Sequence, residues 1–189
     1  KPEYDFIRSK FHYKNGEVKY TGLARYDALS NYSTENQILI MPTWRMYFNN
    51  QTNEEIEQSV YVKAWNEILS NERLIEKLKE RNLTLFFYPH YEMQKHISLF
   101  KSSSDHVVIA DFASYDVQDL LKKSKLLITD YSSVFFDFAY MMKPCIYYQF
   151  GWLFTFSLVL VLGISTVSQY FFGITYQMLL QADQKLYSA

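Results

Sequence analysis

The stretch 126–150, LLITDYSSVFFDFAYMMKPCIYYQF, places the tightest constraint on the fold of this 189-residue chain. It predicts a buried strand over Leu126–Thr129, a polar turn over 130–133, an apolar helix, and a second strand after Pro144. A strand that leads through a hydroxyl-bearing turn into a helix N-terminus is a common phosphate-binding arrangement, because the first amide N–H groups of the helix are unpaired. The turn contains no glycine, which excludes a Walker loop and a Rossmann fingerprint.

Strands and helices alternate along the first 150 residues. Apolar runs such as LTLFFY and KLLIT are typical of parallel strands that are covered on both faces. The sequence therefore predicts an α/β fold with a Rossmann-like parallel sheet, which binds ligands at the carboxyl ends of its strands. The predicted strands before the turn are 17–20, 37–41, 83–88 and 107–110, and the predicted helices are 54–70, 72–81, 92–100 and 117–123.

Several polar residues follow predicted strands and are candidates for binding a phosphate. His90 could donate to a diphosphate oxygen or transfer a proton, or it could be a solvated loop histidine. Arg45 could hold a phosphate through two parallel hydrogen bonds, or it could pair with a nearby carboxylate. Ser132 and Ser133 offer two hydroxyl donors, and capping the following helix would use the same end of it.

Composition excludes several functional classes. A net charge of −1 argues against a nucleic-acid partner bound by bulk electrostatic attraction. Cys145 is the one cysteine, which excludes an internal disulfide, and its apolar surroundings indicate a buried hydrophobe. The four histidines show no metal-ligand spacing, so we expect neither a metal nor another cofactor. The 17 tyrosines and 15 phenylalanines favour a protein that acts at a membrane surface.

Four motifs, in order, resemble the CDP-glycerol glycerophosphotransferase family, which contains the polymerases and primases of teichoic acids and related capsules. They are TGLARYD (21–27), MPTWR (41–45), FYPHYEMQ (87–94) and TDYSSVFFDFAYMMKPCIYY (129–148). The resemblance ends after Phe150. It implies a chain similar to the C-terminal, donor-binding half of a GT-B glycosyltransferase.

The resemblance also implies an activity and a set of site residues. An acceptor hydroxyl would attack the β-phosphate of CDP-glycerol, and CMP would leave. His90 would be the catalytic residue of this half, with Thr129 and Asp130 in supporting roles. The residues expected to bind the donor diphosphate are Ser132, Ser133, Arg45 and Arg25.

The partners implied by the resemblance are CDP-glycerol or a related CDP-polyol and a lipid-linked polyol-phosphate acceptor. The enzyme would work peripherally at the cytoplasmic face of the bacterial membrane. We expect the chain to be a fragment, with an upstream N-terminal half that carries the acceptor site and a second histidine as general base. The motifs do not distinguish CDP-glycerol from CDP-ribitol as the donor. They also do not distinguish a primase, which adds one unit, from a polymerase.

The sequence divides into a domain over 1–150 and an atypical tail over 151–189. No charged residue lies between Lys143 and Asp183. The stretch 152–172 is long enough to cross a bilayer, although serine, threonine and glutamine dilute its apolar character. A buried core segment is a second interpretation. We favour a third, in which a frameshift or truncated reading frame has replaced the family's polar sequence.

Two other functions stay open at this point. The fold would also suit another GT-B enzyme that uses a nucleotide sugar, because the fold alone does not select the donor. The chain could instead be an inactive, membrane-tethered nucleotide-binding fragment, which would bind a cytidine nucleotide without turning it over.

Overall fold

A computed structural model describes residues 2–30 and 32–150 of the protein. The tail over 151–189, and with it every interpretation of that tail, lies outside the described residues. The chain forms two compact units, the first ending at residue 31 and the second beginning at Tyr32. The predicted division into a domain over 1–150 and a tail over 151–189 stays a prediction.

Over residues 2–30, the first unit contains the α-helix α1 (Pro2–Lys10) and a 3₁₀ helix at Ala24–Leu29. The strand predicted at 17–20 is wrong, because Glu17 belongs to a turn. Its amide donates to the Lys14 carbonyl over 3.2 Å, and its carboxylate accepts from the Lys14 amide over 2.6 Å. Gly16 takes a φ of +86° in this turn, a conformation that favours glycine.

The second unit is the α/β domain. Its helices are α2 (Asn53–Glu57), α3 (Val60–Leu69), α4 (Glu72–Glu80), α5 (Tyr91–Gln94), α6 (Val117–Lys123) and α7 (Phe135–Tyr140), with 3₁₀ helices at Met46–Asn50 and Ile97–Leu99. Its strands are β1 (Gln37–Ile40), β2 (Thr84–Phe87), β3 (Val107–Ile109), β4 (Leu126–Thr129) and β5 (Cys145–Tyr147).

The five strands form one parallel sheet in the order β3-β2-β1-β4-β5. The predicted α/β fold with a Rossmann-like parallel sheet is therefore confirmed. The chain builds β1, β2 and β3 outward in one direction and then returns to place β4 on the other side of β1. In open α/β sheets, this reversal leaves a crevice at the carboxyl ends of the two central strands.

The sheet is covered on both faces. Leu39 and Ile40 are neighbours in β1, so their side chains point to opposite faces, yet neither is exposed to solvent. On one face, α3 supplies Tyr61 and Trp65 to a core that also contains Phe87 of β2. The continuous apolar runs in the sequence follow from this double coverage.

The helix predicted over 54–70 is wrong in one respect, because the structure has two helices, α2 and α3. Ser59 separates them, and its hydroxyl accepts from the Val62 amide to cap α3. The new start rotates the buried face. Val60 is 64% exposed, while its neighbour Tyr61 is 1% exposed.

Lys143 is buried and ties the turn after α7 to the C-terminus of α6. Its ammonium donates to the carbonyls of Leu121 and Lys122 and lies 4.4 Å from the ring centre of Tyr32. A cation at this end of a helix is favourable, because the last carbonyls carry partial negative charge. Burial nevertheless lowers the pKa of Lys143 to about 8.

Candidate active site

Two loops meet where β1 and β4 end, at the point where the strand order reverses. The Thr129 hydroxyl at the end of β4 donates to the Met41 carbonyl over 2.6 Å, and the Met41 amide donates to the Ile128 carbonyl over 3.0 Å. These bonds join the segment that contains Arg45 to the turn 130–133 that contains the serines. The crevice expected from the topology is thus lined by two of the four sequence motifs.

A buried ion pair lies at the centre of this junction. Arg45 Nη2 is 2.6 Å from Asp130 Oδ2, and the two side chains are 8% and 1% exposed. Arg45 Nη1 donates to the Thr43 carbonyl over 2.8 Å. Asp130 Oδ1 accepts from the amides of Thr43 and Tyr131 over 2.9 and 2.8 Å. Asp130 therefore orders both loops.

Aromatic rings surround the guanidinium of Arg45. Its central carbon lies 4.3 Å from the ring centre of Tyr131, 5.1 Å from that of Tyr61 and 5.9 Å from that of Phe150. Burial, followed by the charge of Asp130, raises the pKa of Tyr61 well above its ordinary value. In the part of the chain that the structure describes, the Tyr61 hydroxyl has no hydrogen-bond partner. The ion pair was the alternative we left open for Arg45, and its diphosphate-binding role stays a prediction.

The two serines lie on the turn between β4 and α7. The Ser132 hydroxyl accepts weakly from the Val134 amide, over 3.4 Å, and Ser132 is half-buried. Ser133 is exposed. Val134 occupies the N-cap position of α7, and its side chain makes no capping hydrogen bond. Ser133 therefore presents an exposed side chain at the carboxyl edge of the sheet, one residue before the N-cap position of α7.

His90 follows β2 and is oriented by two contacts. Its Nδ1 accepts from the Glu92 amide over 3.2 Å at the start of α5. Its ring stacks on Trp44, with the ring centres 5.9 Å apart and the planes 15° from parallel. Since Nδ1 is an acceptor, Nε2 carries the proton of the neutral ring. The exposed imidazole is thus oriented to donate a hydrogen bond from Nε2.

The structure brings most of the predicted site residues together. Direct contacts join Arg45, Asp130 and the turn that contains the serines, and Trp44 connects this group to His90. Arg25 belongs to the first unit, where its guanidinium lies 5.4 Å from the ring centre of Tyr26. Among residues 2–30 and 32–150, no group of three or more His, Cys, Asp or Glu side chains could hold a metal ion. Nor does any helix in those ranges have the length and apolar character needed to cross a membrane.

The aromatic surroundings of the ion pair were not predicted from the sequence. Tyr131 lies inside a motif that we recognised, but only its neighbours were given roles. Tyr61 carried no signal beyond its place on an amphipathic helix. Trp44 packs partly against the core and also stacks on His90. Contacts between separate loops leave no local pattern in a sequence.

Comparison with known proteins identifies related chains. Residues 3–154 match the CDP-Glycerol:Poly(glycerophosphate) glycerophosphotransferase family. The minor teichoic acid biosynthesis protein GgaB of Bacillus subtilis (strain 168) is 39% identical over 160 residues, which are 79% of this chain and 18% of that protein. The teichoic acid poly(glycerol phosphate) polymerase of Bacillus spizizenii is 34% identical over 116 residues, which are 59% of this chain and 25% of that protein.

A solved structure shares the fold. The wall teichoic acid polymerase TagF superposes with a TM-score of 0.51 and 20% identity, over 76% of this chain and 36% of that chain. The present chain spans about a fifth to a quarter of the length of the first curated relatives that it matches. The resemblance that we inferred from the four motifs is confirmed, because the family match extends over most of the chain. This chain belongs to the CDP-glycerol:poly(glycerophosphate) glycerophosphotransferase family.

Proposed function

We propose that this chain provides the donor site of an enzyme of teichoic acid or capsule synthesis. The enzyme transfers glycerol phosphate, or a related polyol phosphate, from CDP-glycerol to a polyol-phosphate chain. One observation carries the proposal: in a chain of this family, the turn 130–133 meets Arg45 where the order of the parallel strands reverses. Nucleotides bind at this position in sheets of this kind.

The serines are the proposed donors to the diphosphate. Ser133 is exposed, and the hydroxyl of Ser132 makes only a long hydrogen bond, so both could turn toward an anion. A hydrogen bond to a charged oxygen is stronger than one between neutral groups. The two hydroxyls would therefore account for a measurable share of the donor affinity.

Arg45 completes the proposed diphosphate set of the second unit, and a diphosphate-binding role for Arg25 of the first unit stays a prediction. A guanidinium has five N–H groups, and the bonds from Arg45 to Thr43 and Asp130 engage two of them. The ion pair holds the guanidinium, with its other N–H groups, next to the turn that contains the serines. Asp130 thereby supports the site indirectly, since its own charge would repel a diphosphate.

His90 is the proposed catalytic residue of this half. Because Nδ1 is occupied by the Glu92 amide, Nε2–H is the group available to a phosphate oxygen. A donor at this position stabilises negative charge that develops on the diphosphate or on the leaving CMP.

The proposed reaction is an in-line phosphoryl transfer. A hydroxyl oxygen of the acceptor forms a bond to the β-phosphorus of CDP-glycerol, while the bond from that phosphorus to the oxygen of CMP breaks. CMP leaves with the electron pair, and the hydroxyl proton passes to a base. Positioning and charge stabilisation account for most catalysis of this kind.

The rest of the enzyme enters the proposal through its partners. We expect the acceptor site, and the general base with it, to lie outside this chain. The proposed acceptor is a lipid-linked polyol-phosphate chain, which would place the enzyme peripherally at the cytoplasmic face of the membrane. The donor class covers CDP-glycerol and CDP-ribitol.

Calorimetric titration of the 189-residue chain with CDP-glycerol tests the proposal, with UDP-glucose as the comparison ligand. We expect the chain to bind the cytidine donor in preference. Replacing both serines (Ser132→Ala with Ser133→Ala) should weaken binding by roughly ten-fold or more, because hydrogen bonds to a charged group are lost. His90→Ala should weaken the binding of CDP-glycerol to the chain, or lower turnover when the same substitution is made in the complete enzyme.

Two variants serve as controls. Ser103→Ala removes another exposed loop serine, and His12→Ala removes another exposed histidine. Neither residue belongs to the proposed site, so both variants should bind CDP-glycerol like the wild type. Equal affinity for CDP-glycerol and UDP-glucose would refute the proposed donor. Wild-type affinity in both the double-serine and the His90→Ala variants would refute the proposed site.

A further inference from the structure

Two large aromatic side chains are exposed where β2 and β3 end. Tyr91 is 68% exposed and Phe112 is 57% exposed. Their rings contact each other edge to face, with the centres 5.6 Å apart. Contiguous exposed apolar groups beside a site commonly mark a surface that binds something.

This pair continues a row of rings along one edge of the sheet. Trp44 follows β1, His90 and Tyr91 follow β2, and Phe112 follows β3. The three strands are parallel and in register, so their carboxyl ends lie side by side. Trp44 stacks on His90, whose neighbour Tyr91 contacts Phe112. The row thus begins beside Arg45 and ends at the loop after β3.

The loop that presents Phe112 is held in place. Asp111 Oδ1 accepts from the amides of Ala113 and Ser114 over 2.9 and 2.8 Å. Tyr115 packs edge to face on Phe86 of β2, with the ring centres 5.6 Å apart. Phe112 is therefore exposed on a loop whose neighbouring residues are held by these contacts.

The length of the row suits a nucleotide. Neighbouring strands lie about 4.8 Å apart, so two to three strand spacings separate the β4 turn from the aromatic pair, about 10–14 Å. An extended nucleoside diphosphate has a comparable length. With its diphosphate at the serines, its base would reach the rings of Tyr91 and Phe112.

We propose that Tyr91 and Phe112 form the surface on which the base of the nucleoside diphosphate donor stacks. The proposal rests on the proposed function, which places the diphosphate at the serines. Aromatic rings stack on any nucleobase, because every base has a π-face. The pair therefore contributes affinity for the nucleotide without distinguishing cytosine from uracil.

Binding of CMP, UMP and inorganic pyrophosphate to the full chain tests this proposal. Phe112→Ala and Tyr91→Ala should each weaken CMP and UMP by about ten-fold, and by similar factors for both nucleotides. Their affinity for pyrophosphate should stay unchanged, because pyrophosphate has no base. Phe112→Trp, which keeps an aromatic ring, should bind CMP about as tightly as the wild type. Phe112→Leu, which keeps only an apolar side chain, should bind CMP as weakly as Phe112→Ala.

A matched control comes from the first unit. Phe6 is 56% exposed and contacts Phe11 edge to face, so Phe6→Ala removes a comparable exposed ring. It should leave CMP binding unchanged. Saturation-transfer NMR should show magnetisation passing from protein ring protons to the base protons of CMP, and this transfer should diminish in Phe112→Ala. Circular dichroism establishes that each variant is folded.

The outcomes separate this proposal from the proposed function. If the chain binds CDP-glycerol while Phe112→Ala and Tyr91→Ala bind CMP as tightly as the wild type, the base lies elsewhere and only the stacking proposal is overturned. A loss for CMP without a loss for UMP would also overturn it, because the pair would then read the base edge. If the wild type binds neither CDP-glycerol nor CMP, both proposals are wrong.

Discussion

The ion pair between Arg45 and Asp130 can be broken with almost no change in shape by the substitution Asp130→Asn. The asparagine oxygen can still accept from the amides of Thr43 and Tyr131, as Oδ1 does now. The substitution changes the contact between Asp130 Oδ2 and Arg45 Nη2, which are 2.6 Å apart. Both side chains are buried. An amide NH₂ would then face the guanidinium, and the buried cation would lose its counter-charge.

The expected cost is large for this domain. Removing one partner of a buried ion pair destabilises a protein by about 3–5 kcal/mol, because the remaining charge is left without compensation. The two backbone hydrogen bonds survive in Asp130→Asn, so we expect about 3 kcal/mol. Domains are stable by about 5–15 kcal/mol in total. Urea unfolding followed by far-UV circular dichroism, with linear extrapolation, measures the difference.

A second substitution provides the decisive comparison. Arg45→Met combined with Asp130→Asn removes both charges, and the methionine can pack against the rings of Tyr61 and Tyr131. Replacing a buried pair by apolar groups is often nearly neutral, so this double variant should be more stable than Asp130→Asn alone. We expect a coupling free energy of roughly 2 kcal/mol or more in the double-mutant cycle. A loss below about 1 kcal/mol in Asp130→Asn, or simple additivity, would refute the reasoning.

Three further predictions concern Trp44, Lys143 and Cys145. Trp44→Leu removes the ring stacked on His90, so the imidazole nitrogen NMR signals of His90 should shift. The affinity for CDP-glycerol should fall roughly two- to ten-fold. Unchanged His90 signals would contradict this prediction. Burial lowers the pKa of Lys143 to about 8 from 10.5, so the folded chain binds fewer protons than the unfolded chain between these values. The stability of the wild type relative to Lys143→Met should therefore rise from about pH 8 to pH 10 in urea titrations, and a fall would contradict the sign. Burial raises the pKa of Cys145 to about 12, so a maleimide should label it at neutral pH only as urea unfolds the chain, and rapid labelling of the folded chain would contradict its burial.

The strands were the most predictable part of the fold. Predicted β4 and α6 match the observed bounds, and the other sheet strands match within two residues. Parallel strands buried on both faces are continuous apolar runs, which are visible without knowledge of their neighbours. Local hydrogen bonds caused two of the errors. Ser59 divides the long helix by capping α3, and Glu17 closes a turn with Lys14 where a strand was predicted.

The sequence by itself determined the chemistry available at the site and the family, because both depend on residue types within short motifs. It placed His90, Arg45 and the two serines after strands, and this was enough to predict the edge of the sheet where they lie.

Only the tertiary structure decided which of these groups meet. Arg45 and Asp130 are 85 positions apart in the chain. They form an ion pair because the strand order places β4 beside β1, and periodicity along a chain carries no information about strand order. The same order aligns Trp44, His90, Tyr91 and Phe112 along one edge, so the proposed base-stacking surface exists only in the folded chain.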